Sequence, residues 1–173
     1  TIFTAHASIQ GAVYGAERSI MLGHDIVLPI SLVKHDEFDY VALGHIHKAQ
    51  DLNENGHPHI IYSGSIERVD FGEAKDDKFF VIAEVDKGRS QISWRLLDGR
   101  PFIDIPVDLR EIFESENQTL PTPIEIKNHL ENTLIDSSEV ENAIVRLTLI
   151  YPKDWDNLID DQWFQERFSS ALD

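Results

Sequence analysis

The sequence predicts a mixed α/β fold in two parts, divided near residue 100. Residues 1–98 are a series of short β-branched or alternating apolar runs separated by Gly and Asn-Gly turns. The texture changes at Gly99-Arg100-Pro101, after which helical apolar spacing over residues 123–134 lies between two strand-like runs. Taking the elements in order, residues 1–6 read as a β-branched strand ending in His6. The small and polar stretch that follows, with Gly11, Gly15 and Gly23, reads as a loop. Residues 25–33 read as a strand that breaks at Pro29 and continues as a helical turn. Residues 38–43 form a buried strand that stops at Gly44. Residues 49–52 and 59–62 flank Asn53-Glu54-Asn55-Gly56 as a hairpin, in which the Asn-Gly pair is expected to supply positive φ. A second hairpin joins residues 78–86 to 91–98 through Lys87-Gly88-Arg89-Ser90.

In the second part, residues 102–107 read as a linking strand, and residues 108–114 as a short helix capped by Asp108. A polar loop over residues 114–123 leads to the helix at 123–134, with Thr122 as its cap and Pro123 at the first helical position. Residues 143–151 return to strand, and 155–172 carry one or two short amphipathic helices. No internal repeat is evident.

Composition narrows the function classes. With 173 residues and 42% hydrophobic content the chain buries a sizeable core. It has no Cys, which excludes disulfides and Cys-type zinc sites and leaves His and carboxylates as metal ligands. The longest apolar runs, residues 79–85 and 144–150, are strand-length, so a soluble cytoplasmic protein is the expectation. The chain opens at Thr1, without Met, straight into an apolar run, which reads as a piece of something longer. Net charge is −16, with 9 Lys/Arg against 15 Asp/Glu in residues 1–98 and 6 against 16 in residues 99–173. Neither half reads as a polyanion-binding surface.

The residues that carry chemistry begin with Gly44-His45-Ile46-His47, directly after the strand at 38–43. Two His one residue apart at the carboxyl end of a buried strand sit where open sheets place ligands. His6 ends another apolar strand, so three histidines share one sheet edge if those strands are neighbours. Downstream comes Tyr62-Ser63-Gly64-Ser65, with Arg68, Phe71 and Glu73.

Strand-Thr-x-His, Asp39 to His47 and this Tyr-Ser-Gly-Ser block, taken together, resemble the last third of the metallophosphoesterase domain of the SbcD/Mre family of DNA-repair nucleases. The resemblance covers residues 1–98 through specific motifs, and the remainder only in order and texture. It implies the carboxy-terminal part of a four-layer β-sandwich over residues 1–98 and a small α/β capping domain over residues 99–173. It further implies two divalent metal ions, most often manganese, with His6 and His45 on one and His47 on the other. The implied activity is metal-dependent DNA exonuclease and endonuclease cleavage in double-strand break repair. The implied partners are DNA, an SbcC-like ATPase and a second copy of the subunit. Ser63, Ser65 and Arg68 are candidate contacts to substrate phosphate. A Gly-Ser turn with Arg68 paired to Asp70 or Glu73 is the plainer reading of that segment.

The family pattern also contains Asp-x-His, Gly-Asp-x-x-Asp and Gly-Asn-His-Asp/Glu, and none of these occurs here. The bridging Asp, the Asn ligand and the leaving-group His are therefore missing, and the 173-residue chain is expected to be inactive by itself. His24, His35, His57, His59 and His129 read as surface residues, Trp94, Trp155 and Trp163 as packing residues, and the acidic stretch 111–116 as a solvated face. Two other readings compete: a phosphoesterase acting on a small molecule, and a non-catalytic interaction module in which the histidines hold no metal.

Overall fold

A computed structural model describes residues 1–15, 26–110 and 120–172. The expectations for Gly23 and His24, for most of the 108–114 helix and for the acidic stretch 111–116 lie outside the described residues. The chain divides into two compact units, Thr1–Gly99 and Arg100–Asp173. The architecture is α+β, with several small sheets and few helices among the described residues.

The first unit contains strands β1 (Ile2–His6), β2 (Ser8–Ile9), β3 (Val27–Leu28), β4 (Tyr40–Gly44), β5 (Gln50–Asp51), β6 (His59–Tyr62), β7 (Phe79–Asp86) and β8 (Arg89–Leu96). Its main sheet has the order β1-β4-β6-β5, with β1, β4 and β6 parallel and β5 an antiparallel edge. The central strand β4 buries Tyr40, Val41 and Leu43, and β6 buries Ile60, Ile61 and Tyr62. Such continuous apolar runs are what parallel strands covered on both faces require. Val41, Leu43, Ile60 and Tyr62 close one core with Ile9, Val33 and Ile46.

Several details differ from the sequence expectation. The stretch after β1 is not wholly loop, because β2 pairs in parallel with β3 and Gln10 N–H extends the pairing to the Leu28 carbonyl at 2.8 Å. Pro29 does end β3, and a 3-10 turn follows at Ile30–Leu32. In the β5–β6 hairpin, Gly56 takes no positive φ. Its need for glycine is steric: a Cβ there would lie 2.5 Å from Oδ1 of Asn53, whose amide donates to the Pro58 carbonyl at 2.7 Å. Asp51 fastens the same hairpin, accepting from the backbone of Asn53 (2.8 Å) and Ile60 (3.1 Å) and holding His59 Nδ1 at 2.5 Å. His59 is thus half-buried and engaged rather than a free surface residue.

The β7–β8 hairpin turns on Lys87 and Gly88 alone, with Gly88 at φ 75°, and the expected loop residues Arg89 and Ser90 already pair within β8. Gly88 N–H donates to Asp39 just before β4, at 2.6 Å. The outer face of β7 leaves Phe80 and Ile82 exposed, while Trp94 meets Phe79 edge-on across the hairpin.

The second unit pairs β9 (Phe102–Asp108) with β10 (Ile144–Ile150) in parallel. Parallel neighbours need a crossover, and helix α1 (Pro123–Thr133) lies within it. The helix starts where the sequence predicts: Thr122 accepts from Glu125 N–H, and Glu125 accepts from Thr122 N–H at 2.7 Å. Ile126 and Leu130 of α1 pack with Val107, Leu109, Leu134 and Trp155. A 3-10 segment, Lys153–Leu158, and helix α2 (Asp161–Arg167) complete the unit. Arg167 of α2 donates to the carbonyls of Leu134 and Ile135 at 3.1 and 2.9 Å, holding the ends of the two helices together.

Truncating Ile60, which is fully buried, to Ala should cost about 2–5 kcal/mol in urea unfolding of the first unit. Thr122→Ala should cost about 1 kcal/mol in unfolding monitored at α1. The backbone and hydroxyl of Thr122 hold the Glu125 carboxyl below its usual range. That contribution is present above the ordinary Glu pKa and fades as pH falls through the lowered one, so the Thr122→Ala deficit should shrink in acid. A carboxyl NMR titration of Glu125 checks the direction.

Candidate functional site

The three parallel strands end together. His6 is in register with Gly44, and Leu43 with Tyr62, so the residues that follow β1, β4 and β6 emerge at one sheet edge. After β4, Ile46 returns to the core at 2% exposure. Its neighbours His45 and His47 are only half-buried. His45 reaches its place with φ at 94°, a region that ordinarily favours glycine and costs on the order of 1–3 kcal/mol for other residues. Such a conformation persists where the surroundings fix it, here by the buried Ile46 on one side and the register-locked strand on the other.

The rings of His6 and His45 meet edge to face with centroids 5.0 Å apart, and His6 Nε2 lies 3.3 Å from His45 Nδ1. Gly44 makes room for this, since a Cβ on it would come within 3.0 Å of His6 Nδ1. Two imidazole nitrogens that bind one ion at about 2.0–2.1 Å with tetrahedral angles stand roughly 3.3 Å apart. The spacing of the pair therefore fits two nitrogens on one borderline cation.

His47 is held differently. Its Nδ1 lies 2.7 Å from Oε1 of Glu73, which is wholly buried in the 3-10 turn Phe71–Glu73. The other oxygen, Oε2, accepts from Lys78 Nζ at 2.6 Å. Lys78 is itself 2% exposed and also donates to Ser65 Oγ at 2.8 Å. Burial pushes the Glu73 carboxyl up, but the hydrogen bonds and charges of Lys78 and His47 more than offset this and leave it below its usual range. Glu73 is therefore a carboxylate that accepts, and Nδ1 of His47 is the donor. In the neutral ring the remaining nitrogen, Nε2, carries the lone pair, which is the form in which imidazole binds a metal.

The turn after β6 locks onto His47. Gly64 has φ 84°, and a Cβ on it would lie 2.6 Å from the His47 carbonyl oxygen. Ser65 N–H donates to that same carbonyl at 3.1 Å. Tyr62, at the end of β6, donates to the Ala7 carbonyl at 2.6 Å and accepts from Ile9 N–H at 3.0 Å, fixing the chain just beyond His6. Of the candidate phosphate contacts, Ser65 is engaged by Lys78, Ser63 is half-buried, and Arg68 lies in the segment leading to the Glu73 turn. Asp70 caps that turn by accepting from Gly72 N–H at 2.7 Å, and Glu73 accepts from Lys78 and lies against His47.

His6 and His45 are thus brought together, while His47 stands apart with its own carboxylate. Among the described residues no three His or acidic groups converge into a closed metal site. Sequence reasoning missed the roles of Glu73, Lys78 and Tyr62. The one available signal was Lys78 itself, a cation opening an otherwise apolar strand five residues after Glu73.

Among the described residues no helix is long and apolar enough to cross a membrane. No protein-family model matches the chain. Over 157 residues it is 26% identical to the SbcD component of the nuclease SbcCD from Staphylococcus epidermidis, a match that covers 87% of this chain. The same match covers 39% of that protein, so the chain spans well under half the length of the curated relative it resembles.

Proposed function

We propose that this chain is part of a metal-dependent DNA nuclease subunit of the SbcD type, acting in double-strand break repair. The observation that carries the reading is the 3.3 Å approach of His6 Nε2 and His45 Nδ1 at the edge where three parallel strands end. The similarity to the staphylococcal protein across 87% of the chain supports it. In this reading residues 1–98 are the carboxy-terminal part of a four-layer metallophosphoesterase sandwich, and residues 99–173 a capping domain that guides DNA.

His6 and His45 hold one divalent ion and His47 the other, with manganese favoured among metals suited to imidazole. When bound, such ions neutralise phosphate charge and lower the pKa of an attacking water. The chain's own residues orient these ligands: Gly44 admits the His6 ring, Ile46 anchors the His-x-His turn, and Glu73 fixes the tautomer of His47. Ser63 and Arg68 are the phosphate contacts in this reading, while Ser65 serves His47 through Lys78. The net charge of −16 means that affinity for DNA comes from the ions, a partner or the rest of the subunit. The partners are DNA, an SbcC-like ATPase and a second copy of the subunit.

The test is manganese-dependent cleavage of linear double-stranded DNA by the full-length subunit. His45→Ala and His47→Ala should each lower the rate by about 100-fold or more, given that losing even the groups behind a metal ligand costs 10–100-fold. The 173-residue chain alone should show no turnover, and robust cleavage by it would overturn the division of the ligand set. If the subunit spares DNA but hydrolyses a small phosphodiester, the metal assignment stands and the DNA substrate does not.

A further inference from the structure

We propose that Glu73 and Lys78 are positioning residues whose task is to present Nε2 of His47 to a divalent cation; this rests on the reading of His47 as a metal ligand. Burying a carboxylate and an ammonium group together has a desolvation penalty that their attraction barely repays, and well-packed apolar residues of similar volume often serve stability as well or better. Glu73 and Lys78 are nevertheless both buried, 2.6 Å apart. The pair is not closed on itself. Glu73 Oε2 is occupied by Lys78, with Val69 N–H at 3.4 Å and Ser65 Oγ at 3.5 Å, while Oε1 is given to His47.

With Lys78 Nζ donating to Oε2 at 2.6 Å, Oε1 is left facing the His47 ring at 2.7 Å as an acceptor. It selects the tautomer of His47 with the proton on Nδ1 and fixes the ring plane. Lys78 also holds Ser65, whose N–H donates to the His47 carbonyl, so one buried ammonium restrains both the ring and the backbone of the same histidine. Four separate segments meet here: the turn after β4, the turn after β6, the 3-10 turn at Phe71–Glu73, and the residue just before β7. A histidine serving only as surface would need none of this, since its ring is about one-third exposed and water would satisfy it.

The experiment uses the full-length subunit with the paired substitution Glu73→Gln and Lys78→Met, which removes both charges and keeps the volume. Nitrogen-15 imidazole spectra of the metal-free protein read the tautomer, and manganese titration followed by electron paramagnetic resonance reads each ion's affinity. The expected result is a folded protein in which His47 passes from a single Nδ1–H tautomer to a mixture. One manganese site should weaken by about 10–100-fold, the scale of losses behind a metal-bound histidine, while the other is unchanged. Glu73→Asp, which keeps the charge and withdraws the carboxylate by one methylene, should weaken the same site with Lys78 still paired, and it decides the matter if the double variant does not fold. Unchanged tautomer and unchanged affinity in a variant that folds overturn the inference alone. Failure of the unaltered subunit to bind manganese overturns the ligand reading and this inference with it.

Discussion

The register of three short parallel strands is the constraint on which the rest depends. Side chains alternate along a strand, so a slip of one residue would turn His6 or Gly44 to the opposite face and separate the histidines. The register is held by burial: Val41 and Leu43 on β4, and Ile60 and Tyr62 on β6, face one core together. It is also held by the Tyr62 hydroxyl, which bonds both sides of the chain immediately after His6. Packing and polar satisfaction thus agree on a single alignment, and the strand ends that follow from it define the edge where chemistry is available.

Two histidine arrangements coexist at that edge, and they differ physically. His6 and His45 form a direct pair whose nitrogens converge, at the expense of an unfavourable backbone conformation at His45. His47 is separated from them by the buried Ile46 and governed by an ion pair that lies beneath it. The chain is strongly acidic overall, yet one of its most deeply buried side chains is a lysine. Net charge describes the solvated surface and long-range attraction; it does not describe which charges are folded inward against a particular side chain.

Much of the secondary structure was legible because its signals are local. The β7–β8 hairpin announces itself by alternation around Gly88, and α1 by Thr122, Pro123 and Glu125 within four residues. The break at Pro29 and the buried run of β4 were equally readable. The short β2–β3 pairing was not, because two-residue strands far apart in sequence carry no periodicity. The role of Gly56 was misread for a related reason. Its sequence context matches a turn that needs positive φ, but the demand for glycine arises from the Asn53 side chain folded against it.

The sequence by itself determined which groups are available: three histidines at strand ends, no cysteine, and a Tyr-Ser-Gly-Ser block whose spacing resembles a nuclease family. Strand ends are set by local composition, so those histidines were identifiable before the fold was known. Only the tertiary structure decided how they are placed. The convergence of His6 with His45 spans 39 residues of chain, and the contact of His47 with Glu73 spans 26. Contacts at such separations follow from strand order, register and burial acting together, and the pattern of neighbouring residues does not encode them. The same holds for Lys78, which reads as an ordinary strand-opening cation until packing removes it from water and leaves Glu73 as its acceptor.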